Sequence, residues 1–234
     1  DLLGYKVRDP YQDLDVIICQ NGRWDNAIYD ITPSFINNDV LNYSNNDVMV
    51  FDAGNEFRRF NVKSFKYATE HVETYKFDGQ SYSVQLIQDE PRRYKQFFGN
   101  EDLNGRFFIS NEQEEGFEYT SEYVKVLFTL FYGAPEITGS IHIFGGLTDW
   151  NIDSTTEMSY DYEKQAYTKE LFLKQGYYDY QYALYDTLKG TIDCPIIENS
   201  HWEAENNYQI LIYHKDNIEG YDKLIGYKRI NSLK

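Results

Sequence analysis

The sequence predicts an all-β protein made of two tandem β-sandwich domains, 1–117 and 118–234. Three observations point there. The 234 residues exceed one sandwich and suit two of about 110 to 120 residues each. Aromatics make up 18% of the chain, with 23 Tyr and 15 Phe, and large flat side chains favour the pleated, half-buried surface of a strand. The apolar runs are short, alternate with polar residues and are separated by Asn, Asp and Gly.

Taken in order, the first half offers strands at 15–20, 47–51, 59–67, 82–88 and 105–110. Between the first two lies 37–47, whose five Asn and two Asp read as a long connection. Residues 92–98 could form a turn or two of helix, and no convincing amphipathic helix occurs. The acidic run Glu112-Gln113-Glu114-Glu115 reads as the solvated separator of the two halves. The second half offers strands at 123–130, 139–144, 166–173, 177–185, 207–213 and 224–230. The stretch Leu171–Tyr182 reads as a hairpin turning at Lys174-Gln175-Gly176. Alternation then sets Tyr178, Tyr180 and Tyr182 on one face, with Tyr177, Asp179 and Gln181 on the other.

Composition excludes several functions. A net charge of −16 repels phosphate backbones, so no nucleic-acid partner is expected. No run of 18 apolar residues occurs, so no transmembrane helix and no direct membrane insertion are expected. The chain opens on Asp1-Leu2-Leu3-Gly4 without Met or signal peptide, and is read as processed or truncated. Cys19 lies in an apolar run and reads as a buried small hydrophobe, while Cys194 precedes a Pro in a loop. Two cysteines make no disulfide framework and do not settle the redox compartment.

Chemistry finds no constellation. The four His are isolated, without a paired ligand spacing, so no metal is expected. Asp102-Leu103-Asn104-Gly105 starts like a calcium loop, but the remaining ligands and closing Glu are missing, so it reads as a turn. No nucleophile elbow occurs, and Gly145-Gly146 is not followed by the Lys-Ser or Lys-Thr of a phosphate loop. No catalytic residue, enzyme activity or cofactor is therefore expected.

Two turn clusters combine Arg with carboxylates and aromatics: Gln20–Ala27, with Arg23 and Trp24, and Asp52–Phe60, with Arg58. Arg forks suit bidentate pairing that pins a loop, and they equally suit a partner-docking surface. On the second reading Arg23, Trp24 and Arg58 are the candidate partner-binding residues.

Further along come Ile141–Trp150, Met158-Ser159-Tyr160 and Glu205–Ile210. Their order resembles the early-set immunoglobulin-like modules of starch and glycogen enzymes and the glycogen-binding module of AMP-activated kinase. That resemblance implies an early-set sandwich for the second domain. It also implies a sugar platform at Trp150 with Asn206 or Asn207 beside it. The loop Tyr185–Gly190 lacks the second Trp that such binders carry.

Six motifs span the whole chain: Gln20-Asn21-Gly22-Arg23-Trp24, Gly54-Asn55-Glu56-Phe57-Arg58, Asp102-Leu103-Asn104-Gly105, Leu173-Lys174-Gln175-Gly176-Tyr177, Glu205-Asn206-x-Tyr208 and Tyr221-Asp222-x-Leu224-Ile225-Gly226. Together they resemble the plug protein family of the type 9 secretion system of the Bacteroidetes, formerly a domain of unknown function. That family also has a signal peptide and an N-terminal β-domain. The resemblance implies a periplasmic, non-enzymatic protein whose partner is the outer-membrane translocon barrel, which it occludes when no substrate passes. The alternative function is a carbohydrate-binding module for an α-glucan or another periplasmic glycan.

Overall fold

The structure is a computed structural model and describes residues 2, 4–44, 46–67, 69–112, 120–136, 138–216 and 220–233. It is an all-β sandwich protein, and its helices among the described residues are short turns. The chain forms two compact units, one of Asp1–Ala53 with Glu205–Lys234, the other of Gly54–Ala204.

The first unit begins with strand β1 (Leu14–Gln20) and the small hairpin of β2 (Phe35–Asn37) and β3 (Val40–Asn42). The hairpin overlaps the start of the asparagine-rich tract read as a connection. The expected strand at 47–51 is absent: Asn46–Val48 is a single 3-10 turn.

Among its described residues the second unit holds ten strands. They are β4 (Arg58–Asn61), β5 (Val72–Phe77), β6 (Tyr82–Leu86), β7 (Phe107–Ile109), β8 (Tyr123–Phe131), β9 (Gly139–Phe144), β10 (Ser159–Asp161), β11 (Ala166–Lys174), β12 (Gly176–Asp186) and β13 (Thr191–Asp193). One sheet runs β10-β11-β8-β6-β5, antiparallel except at the parallel β6–β8 pair. The other is organised on β12, whose eleven residues pair with β4, β7, β9 and β13 along its length. The chain then returns to the first unit as β14 (Asn207–Asp216) and β15 (Tyr221–Asn231), completing a β1-β14-β15 sheet.

The core of the second unit lies between its two sheets. β8 alternates, burying Val124, Val126, Phe128 and Leu130 while Tyr123, Lys125 and Phe131 stay outside. Facing it, Tyr178, Tyr180 and Tyr182 of β12 share one buried face, as their alternation predicts. Phe60 joins the layers: its ring stacks on Tyr178 at 5.1 Å and meets Phe128 edge-on at 5.4 Å.

Two further expectations are corrected. The domains are not 1–117 and 118–234 in tandem, because the second unit is inserted in the sequence of the first. A cut at 117 would sever β6 from β8, β4 and β7 from β12, and β1 from β14. Of the acidic separator, Gln113–Glu115 lie outside the described residues, and Glu112 pairs with Lys66 and accepts from Ser64 Oγ at 2.6 Å.

Second, Lys174-Gln175-Gly176 is a corner at which the chain changes sheets, not a hairpin turn. β11 pairs with β8 and β10, and β12 starts the opposite layer. Gln175 fixes the corner: its amide oxygen accepts from Glu122 N at 3.0 Å and its Nε2 donates to Lys63 O at 3.0 Å. Gly176 packs where a Cβ would lie 2.5 Å from Phe108 O.

On the outer face of β12 two polar side chains are covered. Asp179 and Gln181 are buried. Cys19 is buried as expected, and both cysteines are free thiols.

Candidate functional site

A charged centre occupies the second unit beside the tyrosines of β12. Arg58, on β4, is held in a fork: Nη1 donates to Asp89 Oδ1 at 2.7 Å, and Nε to the two Glu198 oxygens at 2.9 and 3.1 Å. Its Nη2 donates to the Glu90 carbonyl at 2.8 Å, and its guanidinium lies 5.2 Å from the Tyr182 ring centre. Arg92 Nε donates to Glu198 Oε2 at 2.7 Å. The second oxygen of Asp89 accepts from Tyr180 and Tyr182 hydroxyls at 2.6 and 2.8 Å, and Glu198 Oε1 also accepts from Tyr182 N at 2.9 Å.

Burial raises the proton affinity of both carboxylates, and the arginines more than offset it. Asp89 and Glu198 are held below the usual carboxylate range, Asp89 by Arg58 and Glu198 by Arg58 and Arg92. Burial first, then the Asp89 charge, pushes the Tyr180 and Tyr182 hydroxyls well above theirs. Two cations thus face two anions, with every carboxylate oxygen engaged. His71 Nε2 also lies 3.3 Å from Asp89 Oδ1. Such a centre braces strands and loops.

A second buried acid lies on the outer face of β12. Asp179 Oδ2 accepts from the backbone N–H groups of Leu103 and Gly105. Its Oδ1 makes no hydrogen bond among the described residues, nor does the buried Asn104 Oδ1. Burial, followed by the nearby Asp102 charge, pushes the Asp179 carboxyl up to about 7.

The sequence-predicted residues disperse. Arg58 is the centre of the brace and 9% exposed at its side chain. Arg23 folds onto Asp25 with bonds of 3.1 and 2.6 Å, pinning its own turn. Trp24 is exposed beside it. Trp150 is half-buried against Phe57 and Phe144, with ring centres 6.0 and 5.2 Å away, and lies in the second unit.

Asn206 and Asn207 are buried in the first unit. Asn206 Nδ2 donates to Ala53 O at 2.8 Å and its Oδ1 accepts from Asn21 Nδ2 at 2.9 Å. Asn207 N donates to Asn21 Oδ1 at 2.9 Å, and Asn207 Oδ1 accepts from Arg229 Nε at 3.2 Å. Both amides make these internal bonds, and Trp150 packs edge-on against two rings.

His142 borders a pocket of about 520 Å³, but its two ring nitrogens are taken by Ser140 Oγ at 2.7 Å and Thr156 Oγ1 at 3.0 Å. Burial pushes its pKa down, leaving a neutral, satisfied imidazole. Among the described residues no group of three His, Cys, Asp or Glu side chains could hold a metal ion, and no helix is long and apolar enough to cross a membrane.

Sequence reasoning missed three exposed aromatics. Tyr94, Phe98 and Trp202 are 88%, 80% and 83% exposed. Arg92-Arg93-Tyr94 and His201-Trp202 place rings in non-alternating, polar stretches, and that was the available signal.

No protein-family model and no curated protein matches the chain. Its fold is similar to a crystal structure, at 2.30 Å resolution, of a hypothetical protein from Parabacteroides merdae, with a TM-score of 0.90 and 32% identity. The likeness covers 98% of this chain and 57% of that one, so the chain spans little more than half the length of its structural relative.

Proposed function

We propose that this chain is part of a periplasmic, non-enzymatic plug that docks to the translocon barrel of the type 9 secretion system and occludes it. One observation carries the reading: residues of the resembling motifs build braces. Gln20 Nε2 donates to Asp52 O at 2.9 Å, and Asn21 locks Asn206 and Asn207. Asn55 Nδ2 donates to Glu198 O at 2.7 Å, Arg58 forks onto Glu198 and Asp89, and Asp102 Oδ2 accepts from Phe57 N at 2.6 Å. Gln175 pins the corner between sheets. Residues spent on internal bonds suit a protein whose task is to keep its shape against a rim. The 32%-identical relative comes from a Bacteroidetes species, the group in which the plug family occurs, which agrees with the reading.

The test is isolation of the natural full-length protein from native membranes. The reading expects a very large outer-membrane barrel to accompany it in stoichiometric amount. Purification without that barrel, in detergents that keep the translocon intact, would count against it.

A further inference from the structure

We propose that Asp102, Asn104 and Asp179 form a calcium site in the second unit, built from the turn at 102–105 and strand β12. It does not rest on the plug reading, and either can fail alone.

The geometry starts from three consecutive N–H groups. Leu103 N and Gly105 N donate to Asp179 Oδ2, the latter at 3.2 Å. Asn104 N, between them, donates to Asp102 Oδ1 at 2.7 Å. Both carboxylates therefore close on one turn, with Asn104 between them. Asp102 Oδ2 accepts from Phe57 N at 2.6 Å, which fixes that carboxylate in place.

Two oxygens are left over. Asp179 is 0% exposed, and its Oδ1 has no hydrogen bond among the described residues. Asn104 is 6% exposed, and its Oδ1 is orphaned in the same way. An ionised carboxylate and an amide oxygen both accept, so neither can satisfy the other. A cation bound to both removes the two deficits together. The protein does not supply one. Arg59, the cation that acts on Asp179, is itself paired with Glu70 at 2.6 Å. Burial and the Asp102 charge raise the proton affinity of Asp179, as expected for a carboxylate short of counter-charge. In calcium-free solution a proton takes the place of the cation.

The donor set selects the ion. Two carboxylates and an amide carbonyl are hard oxygens, with no nitrogen or sulfur for zinc. Calcium accepts such mixed sets, with waters and backbone carbonyls filling its remaining positions. Because the third donor is an amide, the set lies outside any group of three acidic or His and Cys side chains. Asp102-Leu103-Asn104-Gly105 opens like a calcium loop, and a carboxylate that the following sequence lacks comes from β12. Three protein oxygens imply weak affinity, about 0.1–1 mM.

The experiment uses the full chain, stripped of metal with a chelator and returned to about 10 mM calcium. The expected result is a rise in melting temperature of about 3–8 °C. Asp179→Asn keeps an oxygen for the two N–H groups, and Asn104→Gly tolerates the φ of 53–56° class that Asn104 adopts at +55°. Each should fold and lose most of the rise. Asp78→Asn, in an exposed turn of the same unit, should keep it. Terbium in place of calcium adds a local readout. Trp150 lies against the turn, since a Cβ on Gly105 would sit 2.4 Å from its ring. Light absorbed by Trp150 should therefore be emitted by terbium. Trp150→Phe should abolish that emission and leave the calcium-induced rise. No rise in the parent overturns the site. A rise or sensitised emission that survives both Asp179→Asn and Asn104→Gly belongs to the acidic surface and also overturns it. An equal rise with magnesium overturns the assignment to calcium.

Discussion

At the scale of single residues, the buried acids of the second unit respond to pH in opposite directions. Asp89 and Glu198 have folded pKa values below their unfolded ones. Their stabilisation is present above about pH 4 and is lost as pH falls below it. Asp179 is raised from 3.8 to about 7. Between those values the folded state holds a proton that the unfolded chain has released, so stability falls as pH rises from about 4 to 7 and is flat above. The span is on the order of 4 kcal/mol. Asp179→Asn keeps an oxygen for Leu103 N and Gly105 N and cannot ionise. It should be more stable than the parent at pH 8 and equal to it near pH 4, measured by urea unfolding across that range. Equal stability of the two at both pH values would remove the buried charge from the account. Arg58→Ala should cost about 3–5 kcal/mol, because it leaves two buried carboxylates short of their cation. The same experiment separates brace from anchor, since an exposed anchor would leave stability unchanged. The sequence showed Arg58 as an Arg in a Gly-bearing turn. It could not show Glu198, 140 residues away, which is what decides the role.

At the scale of elements, alternation was legible and partnership was not. The buried faces of β8 and β12 follow from a period of two, and both stand in the structure. Alternation says which way a side chain points and nothing about which strand lies beside it. The polar corner Lys174-Gln175-Gly176 therefore looked like a hairpin turn, although it carries the chain from one sheet to the other. On the outer face of β12 the polar Asp179 and Gln181 are buried. The turn at 102–105 supplies backbone donors to Asp179. That turn needs its glycine. Gly105 has φ +77°, and a Cβ there would lie 2.4 Å from the Trp150 ring and 2.7 Å from Phe57. Gly105→Ala should destabilise by about 2–5 kcal/mol through strain and overpacking, read as a lower urea midpoint at unchanged slope. A loss below about 0.5 kcal/mol would mean that Trp150 moves freely aside.

At the scale of the whole molecule, fold class was legible from aromatic content and short strands, and the division of the chain was not. An insertion leaves no mark in composition; it shows only when β14 returns to pair with β1. The second unit is continuous, so a fragment of residues 54–204 should unfold cooperatively when heated alone. A fragment of 118–234 should not fold, because it lacks β4, β5, β6 and β7 and holds β14 without β1. Near-ultraviolet circular dichroism of the two fragments checks both. The exposed aromatics were the least legible feature. A sequence with 23 Tyr and 15 Phe gives no reason to single out Tyr94 or Phe98 until the core has claimed the others.

The central claim is occlusion of the translocon barrel by a rigid, braced protein. Its most direct measurement is outer-membrane permeability to a large antibiotic or dye in cells from which the gene is deleted. The account predicts that deletion leaves unoccupied barrels open and raises uptake. The natural gene supplied in trans should restore the barrier. Permeability unchanged by deletion, with barrels present in normal number, would contradict it.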